Sequence, residues 1–179
     1  MSRQRQWAVV TGVVTTAIFA TVLIIRLRPQ MALLGVGSKA PAFTAVDLRS
    51  GRPATLENYR GKPILLNIWA TWCAPCREEM PALDRLQAQL GGERFQVVAL
   101  SVDQQGVPIA RRFFSEIGIK TLPLYVDPSA KAAFTIDAAG LPATLLVDRA
   151  GREIGRHLGA VKWDSPEVLA QLRRAISAE

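Results

Sequence analysis

The chain is 179 residues long, with two cysteines, one histidine and a formal net charge of +7. That length suits one globular domain with an appendage, and two cysteines with one histidine are too few for a zinc site built on paired Cys-x-x-Cys motifs. Four of the 22 basic residues and none of the 15 acidic ones lie in the first 36 positions; the remainder is nearly balanced and holds no Lys/Arg run with interleaved aromatics, which excludes the usual footprint of a nucleic-acid binder.

Ala8 to Ile25 contains no charged residue. As a helix this stretch spans about 27 Å, close to the ~30 Å hydrocarbon core of a bilayer. Trp7 stands where an interfacial anchor would. The expectation is an uncleaved signal anchor, a transmembrane helix within residues 1–28, followed by a tether over 29–36 and a folded domain over 37–179. A cleaved signal peptide fits less well, because Ser38-Lys39-Ala40 lies far downstream and Pro41 follows it. Arg3 and Arg5 before the span nearly balance Arg26 and Arg28 after it, so charge alone barely orients it.

Phe43 to Leu48, a turn at 49–51 and Pro53 to Leu56 read as a β-hairpin, followed by a short helical turn and loop to Gly61. Pro63 to Ala70 is a mostly apolar run suited to a central, doubly covered strand. Met80, Leu83, Leu86 and Leu90 recur at helical spacing, and Gly91-Gly92 ends that helix. Phe95 to Val102 is the next strand, with a loop over 103–106 at its end. Pro108 to Ile117 predicts a helix with Gly118 behind it, and Leu122 to Val126 a short strand. Ser129 is placed as the cap of a helix running through Phe134. A strand within 140–148, a turn at 149–152 and a return strand over Glu153 to Leu158 follow. Ser165 and Pro166 open a last helix that buries Val168, Leu169, Leu172 and Ile176. This order predicts an α/β fold, a mixed central sheet flanked by helices on both faces.

Both cysteines fall in Trp69-Ala70-Thr71-Trp72-Cys73-Ala74-Pro75-Cys76-Arg77-Glu78-Glu79-Met80-Pro81, where a strand feeds a helix. The Cys73 sulfur is expected near unpaired N–H groups at the positive end of the helix dipole, which favour its thiolate. Cys76 is expected one turn inside, deeper and within bridging distance. A purely structural bridge closing so small a loop would constrain the unfolded chain little. The predicted chemistry is dithiol exchange: Cys73 attacks a substrate disulfide and Cys76 resolves the mixed disulfide.

The stretch Trp69 to Cys76 resembles the active site of the thioredoxin superfamily. More narrowly, Asn67-Ile68-Trp69-Ala70-Thr71-Trp72-Cys73 through Glu79-Met80-Pro81-Ala82-Leu83 resembles the TlpA/ResA/CcmG group of membrane-anchored, extracytoplasmic thiol–disulfide oxidoreductases. The likeness covers about residues 37–177. It implies a thioredoxin-like fold with an N-terminal β-hairpin extension and a catalytic domain in the periplasm of a bacterium, tethered to the inner membrane. It implies no cofactor or metal beyond the redox-active Cys73–Cys76 pair. It also implies that Pro142, in Gly140-Leu141-Pro142-Ala143-Thr144, is cis and faces the cysteines, leaving backbone near Leu141 for an incoming extended peptide. Ordinary thioredoxin has a buried aspartate where this chain has Asn67. Glu79, three residues past Cys76, matches an acidic position of the group, and half-burial would raise its pKa enough for it to accept a proton near neutrality. Trp72 is expected to shield the nucleophile and offer an apolar contact surface, Trp69 to be core, and His157 to have no catalytic role.

Ala74-Pro75 supplies no basic group to hold the Cys73 thiolate strongly, which predicts a reductant rather than an oxidant. By resemblance the substrates are apocytochrome c or copper-centre assembly factors of a haem–copper oxidase, the TlpA-like 154–167 region favouring the latter. The electron donor would be a membrane dithiol-transfer protein. A copper-binding chaperone or a general thiol–disulfide interchange protein is the alternative; copper chaperones of this superfamily space their cysteines by three and add a histidine. A peroxidase would need its threonine one residue further from the cysteine than Thr71.

Overall fold

The computed structural model describes residues 38–178 except Pro41, Arg49, Asp137 and Ala138. The expected anchor and tether lie outside the described residues. In chain order the strands are β1 (Ser38–Lys39), β2 (Thr44–Asp47), β3 (Pro53–Thr55), β4 (Ile64–Trp69), β5 (Gln96–Ser101), β6 (Leu124–Val126), β7 (Ala143–Val147) and β8 (Arg152–Leu158). The helices are α1 (Ala74–Leu90), α2 (Val107–Glu116), α3 (Lys131–Thr135) and α4 (Pro166–Ser177), with a 3-10 turn at Leu56–Tyr59. This is the mixed, helix-flanked sheet that the order of elements predicts, in the thioredoxin-like arrangement that the resemblance implies.

All six residues of β4 are buried, as a strand covered on both faces requires. The sheet order is β1-β8-β7-β4-β5-β6-β2-β3. β4, β5 and β6 run parallel, and every other neighbouring pair is antiparallel. The crossovers through α1 and α2 step the same way along the sheet, so the right-handed rule sets both helices on one face. The Arg77 guanidinium of α1 lies 5.1 Å from the ring centroid of Phe113 in α2 accordingly. α4 joins that face, its entry fixed by Arg85 Nε donating to Asp164 at 2.6 Å. α3 leads to the opposite face. His157 of β8 points toward Trp163, while its neighbour Arg156 reaches the Ile136 carbonyl just past α3.

The N-terminal segment contributes to both edges of the sheet. The β2–β3 hairpin extends it beyond β6, with Val46 opposite Val126. The two-residue β1, too short for any periodicity to show, pairs with β8 at the far edge. One capping assignment needs correction. Ser129 does not cap α3: the N-cap position is Ala130, at φ 55°. The Asp127 carboxylate accepts from Ala132 N at 2.9 Å, and Ser129 is left a 3.4 Å contact with Lys131 N. A carboxylate offers two charged acceptor oxygens and outcompetes one hydroxyl for the free N–H groups. Ser165 caps α4 as expected, accepting from Val168 N at 3.3 Å. Gly118 takes φ +70° just past α2, where a side chain would be strained.

Candidate active site

Cys73 is the N-cap of α1, with extended backbone, and Pro75 lies in the first turn, where a missing N–H costs nothing. The two cysteines form a disulfide with their Cα atoms 5.3 Å apart. Cys73 Sγ accepts from the Cys76 backbone N–H at 3.3 Å, one of the free donors of a helix start. Cys73 is 6 % exposed and Cys76 fully buried, so the outer sulfur is the one a partner reaches.

The turn before Cys73 is pinned by Asp103, buried at the end of β5. Its carboxylate accepts from Thr71 N at 3.0 Å, from Thr71 Oγ1 at 2.7 Å and from Ser101 Oγ at 2.8 Å. Asp103 was legible only as part of a loop. The available signal was its place just past the carboxyl end of a strand parallel to β4, where α/β sheets gather their functional groups.

Trp72 is 70 % exposed. It borders a cleft of about 430 Å³ shared with Val102, Ala133, Phe134 and Leu141. The Leu141–Pro142 bond is cis, as the resemblance implies. Among the described residues, no backbone hydrogen bond engages Leu141. Phe134, which the sequence pattern marks only as the end of a helix, is 82 % exposed. Nothing in the chain's periodicity marks an apolar residue as solvent-facing when its helix is one turn long.

Glu79 lies on the buried side of α1, 3 % exposed, whereas Glu78 faces solvent. Three donors converge on its carboxylate. Asn67 Nδ2 donates to Oε1 at 2.7 Å; Trp163 Nε1 and Val161 N donate to Oε2 at 2.8 and 3.1 Å. Burial pushes the Glu79 pKa up to about 7, against the lowering effect of the bonds from Trp163, Asn67 and Val161. Asn67, at the position where ordinary thioredoxin has a buried aspartate, thus stands in direct contact with the Glu79 carboxyl group. It also donates to Thr144 Oγ1 at 2.9 Å. Trp163 is fully buried and meets the His157 ring edge-on, at 6.5 Å between centroids. Sequence reading placed Trp163 only in a family-like junction. No local pattern connects residue 163 to residue 79, because the contact is made by the sheet bringing the β8–α4 loop over α1. Trp69 is fully buried, as expected of a core residue, stacked on Phe114 at 5.4 Å.

The described residues therefore bring together Cys73, Cys76 and Glu79 on α1, and set Trp72 and Leu141 on one cleft beside them. Among them no cluster of His, Cys, Asp and Glu could hold a metal ion.

Comparison with known proteins agrees with this geometry. Residues 35–172 match the Redoxin family. The thiol–disulfide oxidoreductase ResA of Bacillus anthracis is 31% identical over 124 residues, covering 69% of this chain and 70% of its own. The thioredoxin-like protein YneN of Bacillus subtilis is 34% identical over 128 residues, covering 70% and 72%. A solved structure from Chlorobium tepidum, designated a thiol:disulfide interchange protein DsbE, is 28% identical with a TM-score of 0.66. The match covers 82% of this chain and 98% of that one.

Proposed function

Since the chain belongs to the Redoxin family and is a thiol–disulfide oxidoreductase, we propose that it is a membrane-anchored, extracytoplasmic reductase of protein disulfides. The observation that carries this reading is the Cys73–Cys76 pair at the mouth of α1, with a buried Glu79 of raised pKa one turn beyond Cys76. In the reduced protein the Cys73 thiolate attacks a substrate disulfide, forming a mixed disulfide and expelling one substrate thiolate. Cys76 gives its proton to Glu79, attacks Cys73 Sγ and releases the second substrate thiolate. Two electrons pass to the substrate, and the Cys73–Cys76 disulfide remains. A carboxylate with a pKa near 7 accepts and returns that proton at little cost near neutrality.

An extended substrate segment lies along the unpaired backbone at Leu141, with cis Pro142 behind it and Trp72 covering its apolar side chains. The absence of a basic group between the cysteines supports reduction as the working direction. The substrates that suit this reading are apocytochrome c, before haem attachment, or copper-centre assembly factors. A membrane dithiol-transfer protein restores the dithiol, and the expected 1–28 anchor holds both partners at one surface at raised effective concentration.

Replacing Cys76 by Ser stops the second exchange, so Cys76→Ser should accumulate mixed disulfides through Cys73 in cells. Mass spectrometry of the trapped species is expected to return cytochrome or copper-assembly proteins together with the membrane donor. A trap holding only a random sample of secreted proteins would refute the dedicated role. Glu79→Gln should shift the cysteine titration and the pH profile of turnover, and an unchanged titration removes Glu79 from the proton transfer.

A further inference from the structure

Asn67 is fully buried, and its Oδ1 has no hydrogen-bond partner. Both N–H groups of its amide are used, one toward Glu79 Oε1 and one toward Thr144 Oγ1. This orientation suits an ionised Glu79, because a carboxylate only accepts. A protonated Glu79 has different needs. Its Oε2 faces Trp163 Nε1–H and Val161 N–H, which donate and cannot accept. The proton therefore belongs on Oε1, and a buried O–H requires an acceptor. Among the groups bonded to Glu79, the one acceptor within reach of a simple rotation is the unpaired Oδ1 of Asn67. Turning the amide over presents Oδ1 both to the Glu79 O–H and to Thr144, whose hydroxyl can donate as readily as accept, and moves Nδ2 to the side where Oδ1 had no partner, a cost set against satisfying the acid.

We propose that Asn67 is a positioning residue whose side-chain amide turns over with the protonation state of Glu79, offering Nδ2 to the carboxylate and Oδ1 to the carboxylic acid. Asn67 then takes the place of the usual buried aspartate without carrying a proton itself: it lets a neighbouring acid hold one. Other ionisable groups surround the site without bonding to this oxygen. On α1 these are Cys73 and Cys76, which do not titrate while bridged. On β8 there is His157, edge-on to Trp163. In the β8–α4 loop there are Lys162, which is exposed, and Asp164, which is paired with Arg85. β4 and β7 contribute Asn67 and Thr144, which carry no charge.

The test uses the oxidised protein, where the Cys76 sulfur cannot compete as an acceptor, so its outcome is independent of whether Glu79 exchanges a proton with Cys76. In labelled protein, the Glu79 carboxyl ¹³C shift and the Asn67 side-chain amide shifts are followed by NMR across pH 5–9. They are expected to move with one midpoint, and the contact from the Asn67 amide protons to the Thr144 methyl should weaken several-fold on the acid side. An Asn67 amide that stays put while Glu79 titrates overturns the proposal. Glu79→Gln provides a second, pH-independent reading. Its carbonyl must take the Trp163 and Val161 N–H groups, so its amide faces Asn67 and should hold Oδ1 forward at every pH. A variant that retains the wild-type Asn67–Thr144 amide contact overturns the proposal as well.

Discussion

Helix α1 carries two carboxylates whose proton affinities are moved in opposite directions, Glu79 and Asp84. Both are pushed up by burial and pulled down by hydrogen bonds. At Glu79 burial wins, raising the pKa to about 7 although Trp163, Asn67 and Val161 all donate. At the half-buried Asp84 burial also raises, but the Thr121 backbone and side chain with the Leu122 and Lys120 backbones together outweigh it and hold the pKa below the usual aspartate value. Asp84 receives Thr121 N, Thr121 Oγ1 and Leu122 N at 2.8 Å each. Several donors beside solvent favour the anion and tie α1 to the 120–122 segment. Three donors with no solvent leave an acid poised near neutrality. Depth, more than the count of bonds, separates a structural carboxylate from one able to move a proton.

The comparison is broken or sharpened first at Glu79. Its folded pKa lies above its unfolded one, so the unfolded chain gives up the proton first and wild-type stability declines from about pH 4.5 to about pH 7. Glu79→Gln removes that dependence. Relative to wild type, the oxidised variant should gain on the order of 3 kcal/mol between pH 4.5 and pH 8, read from urea unfolding at both values. A difference that does not change with pH would mean that Glu79 is not a buried acid. A smaller effect is expected from Trp163→Phe, which keeps the ring but removes a donor to the anion. The Glu79 pKa should rise further, by about one unit, as followed by carboxyl ¹³C NMR, while the fold persists. The smallest effect is expected at Asp84. Asp84→Asn should cost about 1 kcal/mol above pH 4, discounted for its partial exposure. That advantage of the wild type is lost as pH falls below the ordinary aspartate range and through the lowered folded pKa of Asp84. Parallel pH profiles for the Glu79 and Asp84 variants would erase the distinction between the two sites.

The parts that local pattern could reach were the ones with a period or a motif. The apolar run at 63–70, the spacing of Met80, Leu83 and Leu86, and the Ser165-Pro166 start each encode an element through a few neighbouring residues. The Cys-x-x-Cys between strand and helix made the redox site legible in the same way. Glu79 was reachable as a position one turn past Cys76. Its environment was not, because Asn67, Val161 and Trp163 come from β4 and from a loop more than eighty residues away. Phe134 and Asp103 escaped for a related reason: the exposure of one and the bonds of the other depend on which elements the sheet sets beside them. The Ser129 assignment failed because capping preference is judged residue by residue, whereas Asp127 competed for the same N–H groups from three residues before the N-cap.

Sequence alone thus determined that a thiol pair stands where a helix begins and that alternating strands and helices form the scaffold, since both are written in covalent spacing and short-range periodicity. Tertiary structure alone decided what Glu79 is. A carboxyl group acquires a pKa near neutrality only when distant segments close over it and replace water with three fixed donors, and no spacing along the chain records how deep a side chain will lie.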